Sequence, residues 1–152
     1  MWAMVIRKAA EEDTSRLVEA RRQFQQLLKG DRGDEGFAQA LEGYFKKHLP
    51  AGTCVVWLAE DGGEVAACAV LTLAEDLPGL KNPSGRVGYL HNVYTHPQYR
   101  RQGLAEKLVR NCLQSAKEWG AGRVCLGATE QGRPLYEKLG FQPESSDMQL
   151  DF

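Results

Sequence analysis

The chain has 152 residues, 43% hydrophobic and 26% charged, with a net charge of −1. That size and balance suit a single domain, 1–152, around one core. They disfavour a nucleic-acid binder, which would need a cationic surface, and no apolar run reaches membrane-spanning length.

Met1-Trp2-Ala3-Met4-Val5-Ile6-Arg7 lacks the layout of an export signal and reads as a first strand, over residues 4–9. A helix from Glu12 to Leu28 follows, with Leu17, Ala20, Phe24, Leu27 and Leu28 at helical spacing behind an acidic first turn. A second helix runs from Glu35 to His48 and ends at Pro50-Ala51-Gly52. Thr53–Glu60 and Glu64–Leu73 are strands joined by a hairpin at Asp61-Gly62-Gly63. Residues 77–85 form an exposed loop, and Arg86–Thr95 is the next strand. Gln102–Trp119 is a long helix and Arg123–Ala128 another strand. A short helix opens at Arg133-Pro134 and closes at Gly140, after which Phe141–Phe152 is expected to return as one or two strands. Hairpins first and crossover helices later mean a mixed sheet covered by helices.

Cys54, Cys68, Cys112 and Cys125 form no Cys-x-x-Cys pair and sit in apolar surroundings, as small buried hydrophobes do. A reduced, cytoplasmic setting is expected. His48, His91 and His96 show no metal-ligand spacing, so no metal is expected.

The most specific stretch runs Tyr94-Thr95-His96-Pro97-Gln98-Tyr99-Arg100-Arg101-Gln102-Gly103-Leu104-Ala105. It joins a strand end to a helix start. A helix N-terminus presents unpaired N–H groups and partial positive charge, Gly103 admits a ligand close to the backbone, and two arginines add cations. Spacing alone allows either a pyrophosphate grip or two solvated arginines. Arg100-Arg101-Gln102-Gly103-Leu104-Ala105 resembles the Arg/Gln-x-x-Gly-x-Gly/Ala motif of the GNAT superfamily of N-acetyltransferases. The element order β-α-α-β-β-β-α-β-α-β is similar to the GNAT fold over nearly the whole chain.

The resemblance implies an α+β (α/β mixed) fold class: a central, mixed, mostly antiparallel twisted sheet with helices on both faces. It implies acetyl-CoA as cosubstrate, held by Val93, Tyr94, Thr95, Arg100, Arg101, Gln102, Gly103, Leu104 and Ala105. The first three would act through their backbone, where the strand splays from its neighbour at a bulge. Gly132-Arg133-Pro134-Leu135-Tyr136-Glu137-Lys138-Leu139-Gly140-Phe141 resembles the family's Tyr-x-x-x-Gly-Phe element. On spacing alone Tyr136 is a packed aromatic or a catalyst; the resemblance makes it the acid that protonates the departing thiolate.

The implied reaction is attack of a neutral primary amine on the thioester carbonyl, through a tetrahedral intermediate stabilised by backbone N–H groups of the strand Leu90–Thr95. Many family members carry a glutamate at the position of His91. Here a histidine stands, either as base or as a structural group. Glu130 is a second candidate base, or an exposed first turn. Strand alternation turns Asn92 away from His91 and assigns it no chemistry.

Two function classes follow: an N-acetyltransferase, or a non-catalytic acyl-CoA-binding or sensor module of the same fold. The acceptor pocket is expected between the two N-terminal helices, the 77–85 loop and the C-terminal strands. Their mixed charges single out neither a cationic nor an anionic amine, and small-molecule and peptide acceptors both fit. The C-terminal strands offer an edge for pairing in a homodimer.

Overall fold

Five strands form one sheet in chain order: β1 (Met4–Lys8), β2 (Cys54–Asp61), β3 (Glu64–Glu75), β4 (Arg86–Thr95) and β5 (Arg123–Leu126). The computed structural model describes residues 4–144 and 146–152; Met1-Trp2-Ala3 of the expected first strand lie outside them. β1 to β4 pair antiparallel, and β4 pairs β5 in parallel. A parallel pair needs a crossover, and helix α3 (Leu104–Trp119) supplies it. Helices α1 (Thr14–Lys29) and α2 (Glu35–Ala51) lie on the opposite face, and the short α4 (Arg133–Lys138) follows β5.

Side-chain alternation on β2 divides the core. Val56 and Leu58 pack with Leu17 of α1 and Phe45 of α2. Val55 and Trp57 turn to the other face, where Leu108, Val109 and Cys112 of α3 are fully buried. Burial pushes the thiols of Cys54, Cys68 and Cys112 up to about 12, so they stay protonated at neutral pH and act as small hydrophobes.

The helix boundaries differ from expectation by a few residues; α1 starts at Thr14 rather than Glu12, and two further shifts have a backbone cause. α3 begins at Leu104 rather than Gln102, because Arg101 (φ 67°) and Gly103 (φ 73°) are both left-handed and cannot extend it. α2 runs through Pro50 to Ala51 before Gly52 caps it at φ 76°. The larger correction is at the C-terminal end. No described residue of 141–152 is in a strand, and Met148, Leu150 and Phe152 are exposed. Their alternation specifies a face but not a partner, and a strand persists only where a neighbour takes its N–H and C=O groups.

Arg7 of β1 grips both carboxylate oxygens of Asp13 at 2.8 Å, and Arg16 pairs with the same group, which also accepts from the Ala10 N–H. Asp13 is 3% exposed, so this knot ties β1 to the start of α1. The two guanidinium groups hold the carboxyl well below the usual carboxylate range. Its contribution to stability is therefore present above about pH 4 and fades as pH falls below it. Asp13→Ala should cost about 2–3 kcal/mol at pH 7, read by denaturant melts, and the deficit should shrink toward pH 2.

Candidate active site

β4 is the strand at which the sheet opens. Its parallel pairing with β5 joins Val87–Leu90 to Arg123–Leu126 and stops there. β4 continues to Thr95 with no strand on that side, leaving backbone groups of its last turn of ladder unclaimed by β5. On the other side, two steps along β3 (Cys68 to Val70) face three along β4 (Tyr94 back to His91). The extra residue is a bulge, with Asn92 in the left-handed region at φ 48°.

The opening is a cleft of about 1100 Å³. Its walls bring together Val93, Tyr94 and Thr95 of β4, Arg100 and Arg101 of the turn, and Gly103, Leu104 and Ala105 at the start of α3. Gln102 is exposed, and its side chain takes no part in the wall. The Tyr94 ring is buried edge-on against Phe24 at 6.0 Å. The turn is anchored by the Tyr99 hydroxyl donating to Asp61 Oδ2 at 2.7 Å, and by Arg100 Nε donating to the Thr95 carbonyl at 3.3 Å.

Among the described residues no side chain caps α3, whose first intrahelical bond is Lys107 N–H to the Gly103 carbonyl at 3.2 Å. An ideal Cβ on Gly103 would meet no atom within 4 Å. The leading N–H groups thus face open space, with a partial positive charge behind them and two arginines beside them. That arrangement fits a diphosphate.

Tyr136 of α4 reaches the same cleft. Phe141 holds its ring edge-on at 5.8 Å, and a Cβ at Gly132 would come within 3.1 Å of it, so any larger residue there requires the ring to give by a few tenths of an ångström. Among the described residues its hydroxyl has no hydrogen-bond partner. Burial pushes the phenol above its ordinary value, keeping it a proton donor through neutral pH.

His91 shares a hydrogen bond between Nε2 and Thr72 Oγ1 at 3.1 Å. Solvent reaches the ring, yet the concave walls desolvate it. Burial first and the Arg21 charge second pull its pKa below that of an ordinary histidine, so the ring is neutral at pH 7 and can take a proton. Glu130 lies exposed at the cleft rim, in the turn after β5 and outside α4.

A smaller pocket of about 280 Å³ lies beside His91. α1 contributes Arg21, α2 contributes Tyr44, and β3 contributes Thr72. Both N-terminal helices contribute to its walls. The 77–85 loop and the described residues of 141–152 line neither cavity, because the loop lies at the far end of β4 and the tail forms no strand. Asn92 corrects the alternation argument. The bulge places it on the pocket wall with His91, its Oδ1 buried and without a partner among the described residues. Asparagine tolerates a left-handed backbone better than most residues, and that was the available signal for a bulge. Arg21 carries no local signal at all.

The acetyltransferase (GNAT) family model matches residues 9–141. The crystal structure of a predicted acetyltransferase with acetyl-CoA, from Clostridium acetobutylicum, superposes with a TM-score of 0.90 at 33% identity, covering 98% of this chain and 96% of that one. A GCN5-related N-acetyltransferase from Ralstonia eutropha JMP134 shares the fold, with a TM-score of 0.83 at 24% identity over 98% and 99% of the two chains. Glucosamine 6-phosphate N-acetyltransferase of Trypanosoma brucei brucei is 35% identical over 65 residues, 43% of this chain and 44% of that protein. N-acetyltransferase 8 of Rattus norvegicus is 38% identical over 90 residues, 57% and 38% of the two. The match spans less than half the length of these curated relatives.

Proposed function

Because the chain belongs to the acetyltransferase (GNAT) family, we propose that it transfers an acetyl group from acetyl-CoA to a primary amine. One observation carries this reading: a single cleft joins the open edge of β4, the uncapped N-terminus of α3 and Tyr136. Acetyl-CoA bound there supplies an acetyl group activated as a thioester.

Each residue then has a definite task. The N–H groups at the start of α3, with Arg100 and Arg101, hold the diphosphate. The unpaired edge of Val93, Tyr94 and Thr95 orients the acyl arm and offers N–H donors where negative charge develops. At pH 7 only roughly one lysine-like amine in a few thousand is free base, so a proton acceptor raises the reactive fraction. His91 is that acceptor, with Glu130 at the rim as the alternative. The Tyr136 hydroxyl donates a proton toward the departing sulfur. Buried free thiols fit a reducing, cytoplasmic compartment. Among the described residues no helix is long and apolar enough to cross a membrane.

A histidine in place of the family's glutamate favours the second reading, a binding or sensor module without turnover. Thiol release from acetyl-CoA over a panel of amines separates the two. Amine-dependent, saturable release is expected; saturable binding with no release across the panel leaves the module. The same assay tests His91, which faces Arg21 of α1, Tyr44 of α2, Thr72 of β3 and Tyr89 on its own strand. Protonation silences a base, and a lowered pKa moves that loss to more acid pH. The acid limb of kcat/KM should therefore lie below about pH 6.5 and vanish in His91→Ala. A variant profile overlaying the parent's makes His91 structural.

A further inference from the structure

Five arginines are half-buried, and four of them have polar partners within the protein. Arg7 and Arg16 bind Asp13, Arg22 donates to the carbonyls of Arg32 and Gly33, and Arg86 donates to the Trp119 carbonyl. Arg21 is the fifth. No described residue hydrogen-bonds or ion-pairs with it, and burial pulls its pKa below that of an ordinary guanidinium. It lines both the large cleft and the small pocket beside His91. The small pocket contains no carboxylate; its other walls are apolar side chains, hydroxyls, one amide and one imidazole. A desolvated guanidinium without a partner is costly, and it persists where a ligand completes it.

We propose that the acceptor amine also carries an anionic group, a carboxylate or a phosphate, which Arg21 takes in the small pocket while the amine lies at His91. The guanidinium fork matches either anion with two parallel hydrogen bonds, which orients as well as attracts. A pocket of about 280 Å³ has room for a small amine. This inference rests on the acetyltransferase reading for the amine's fate but not for the anion's binding.

The test pairs α-amino acids and aminoalkyl phosphates of graded length with their carboxamides and amino alcohols. The parent protein, Arg21→Gln and Arg21→Lys are compared, by thiol release and by calorimetric titration of each amine onto the CoA-loaded protein. The anionic amines should outperform their neutral partners by about 100-fold in kcat/KM. Arg21→Gln should erase that preference mainly through KM, with Arg21→Lys intermediate and the KM for acetyl-CoA unchanged. Which arm wins, carboxylate or phosphate, identifies the anion. The melting temperature of Arg21→Gln should hold or rise, since no internal hydrogen bond or ion pair is lost and the shared methylene stem keeps its packing; a structural arginine would lower it. Equal use of neutral and anionic amines, or a raised KM for acetyl-CoA alone, overturns the proposal. If no amine releases thiol yet the anionic ones bind in an Arg21-dependent way, the anion site stands and the transferase reading falls.

Discussion

Gly103→Glu should abolish binding of acetyl-CoA while leaving a folded protein. Gly103 sits at φ 73° and is the residue before the first turn of α3. A Cβ there meets no atom within 4 Å, so a side chain can leave the backbone into open space. The left-handed backbone costs about 1–2 kcal/mol for any residue with a Cβ. Part of that is returned, because a carboxylate near a helix N-terminus is favourable. The ligand suffers on both counts. The new side chain occupies the space in front of the N–H groups, and its charge opposes the diphosphate. Calorimetry should show a loss in affinity of 100-fold or more, on the order of 3 kcal/mol, with melting lowered by only a few degrees. Tight binding by this variant would refute the whole diphosphate assignment.

Tyr136→Phe should lower turnover by about 100-fold and leave acetyl-CoA affinity and stability intact. The hydroxyl has no internal partner among the described residues, so its removal strands nothing. The ring keeps its edge-on contact with Phe141 and its close approach to Gly132. What is lost is the proton donor, held protonated by burial on the alkaline side of its ordinary range. Thiol release at saturating acetyl-CoA measures the effect directly, and an unchanged kcat would remove Tyr136 from the chemistry.

Much of this site was legible because its parts are close in sequence. A strand end, a turn with Arg100 and Arg101, a left-handed Gly103 and an amphipathic helix lie within a few residues of one another, and each follows local backbone rules. Tyr136, Gly140 and Phe141 are likewise one local unit. His91 was legible as a candidate, and its neutral state was not, since the walls that desolvate it come from α1, α2 and β3. Strand alternation predicted the wrong face for Asn92, because a bulge breaks the period of two at that point. The one or two strands expected over Phe141–Phe152 are absent among the described residues, because nothing local in that segment says which backbone would pair with it.

Arg21 shows the division most plainly. In the sequence it is one cation among 19 lysines and arginines, on a helix of mixed charge. The sequence alone determined the order of elements as far as α4 and the apolar faces of the helices, since these depend on propensity and spacing within a segment; it left the turn at Arg100–Gly103 as either an anion grip or a solvated surface. The tertiary structure decided that Arg21 lies beside His91, 70 positions away, in a pocket with no carboxylate. Charge compensation and desolvation depend on which surfaces close around a group, and that is settled only when distant segments pack.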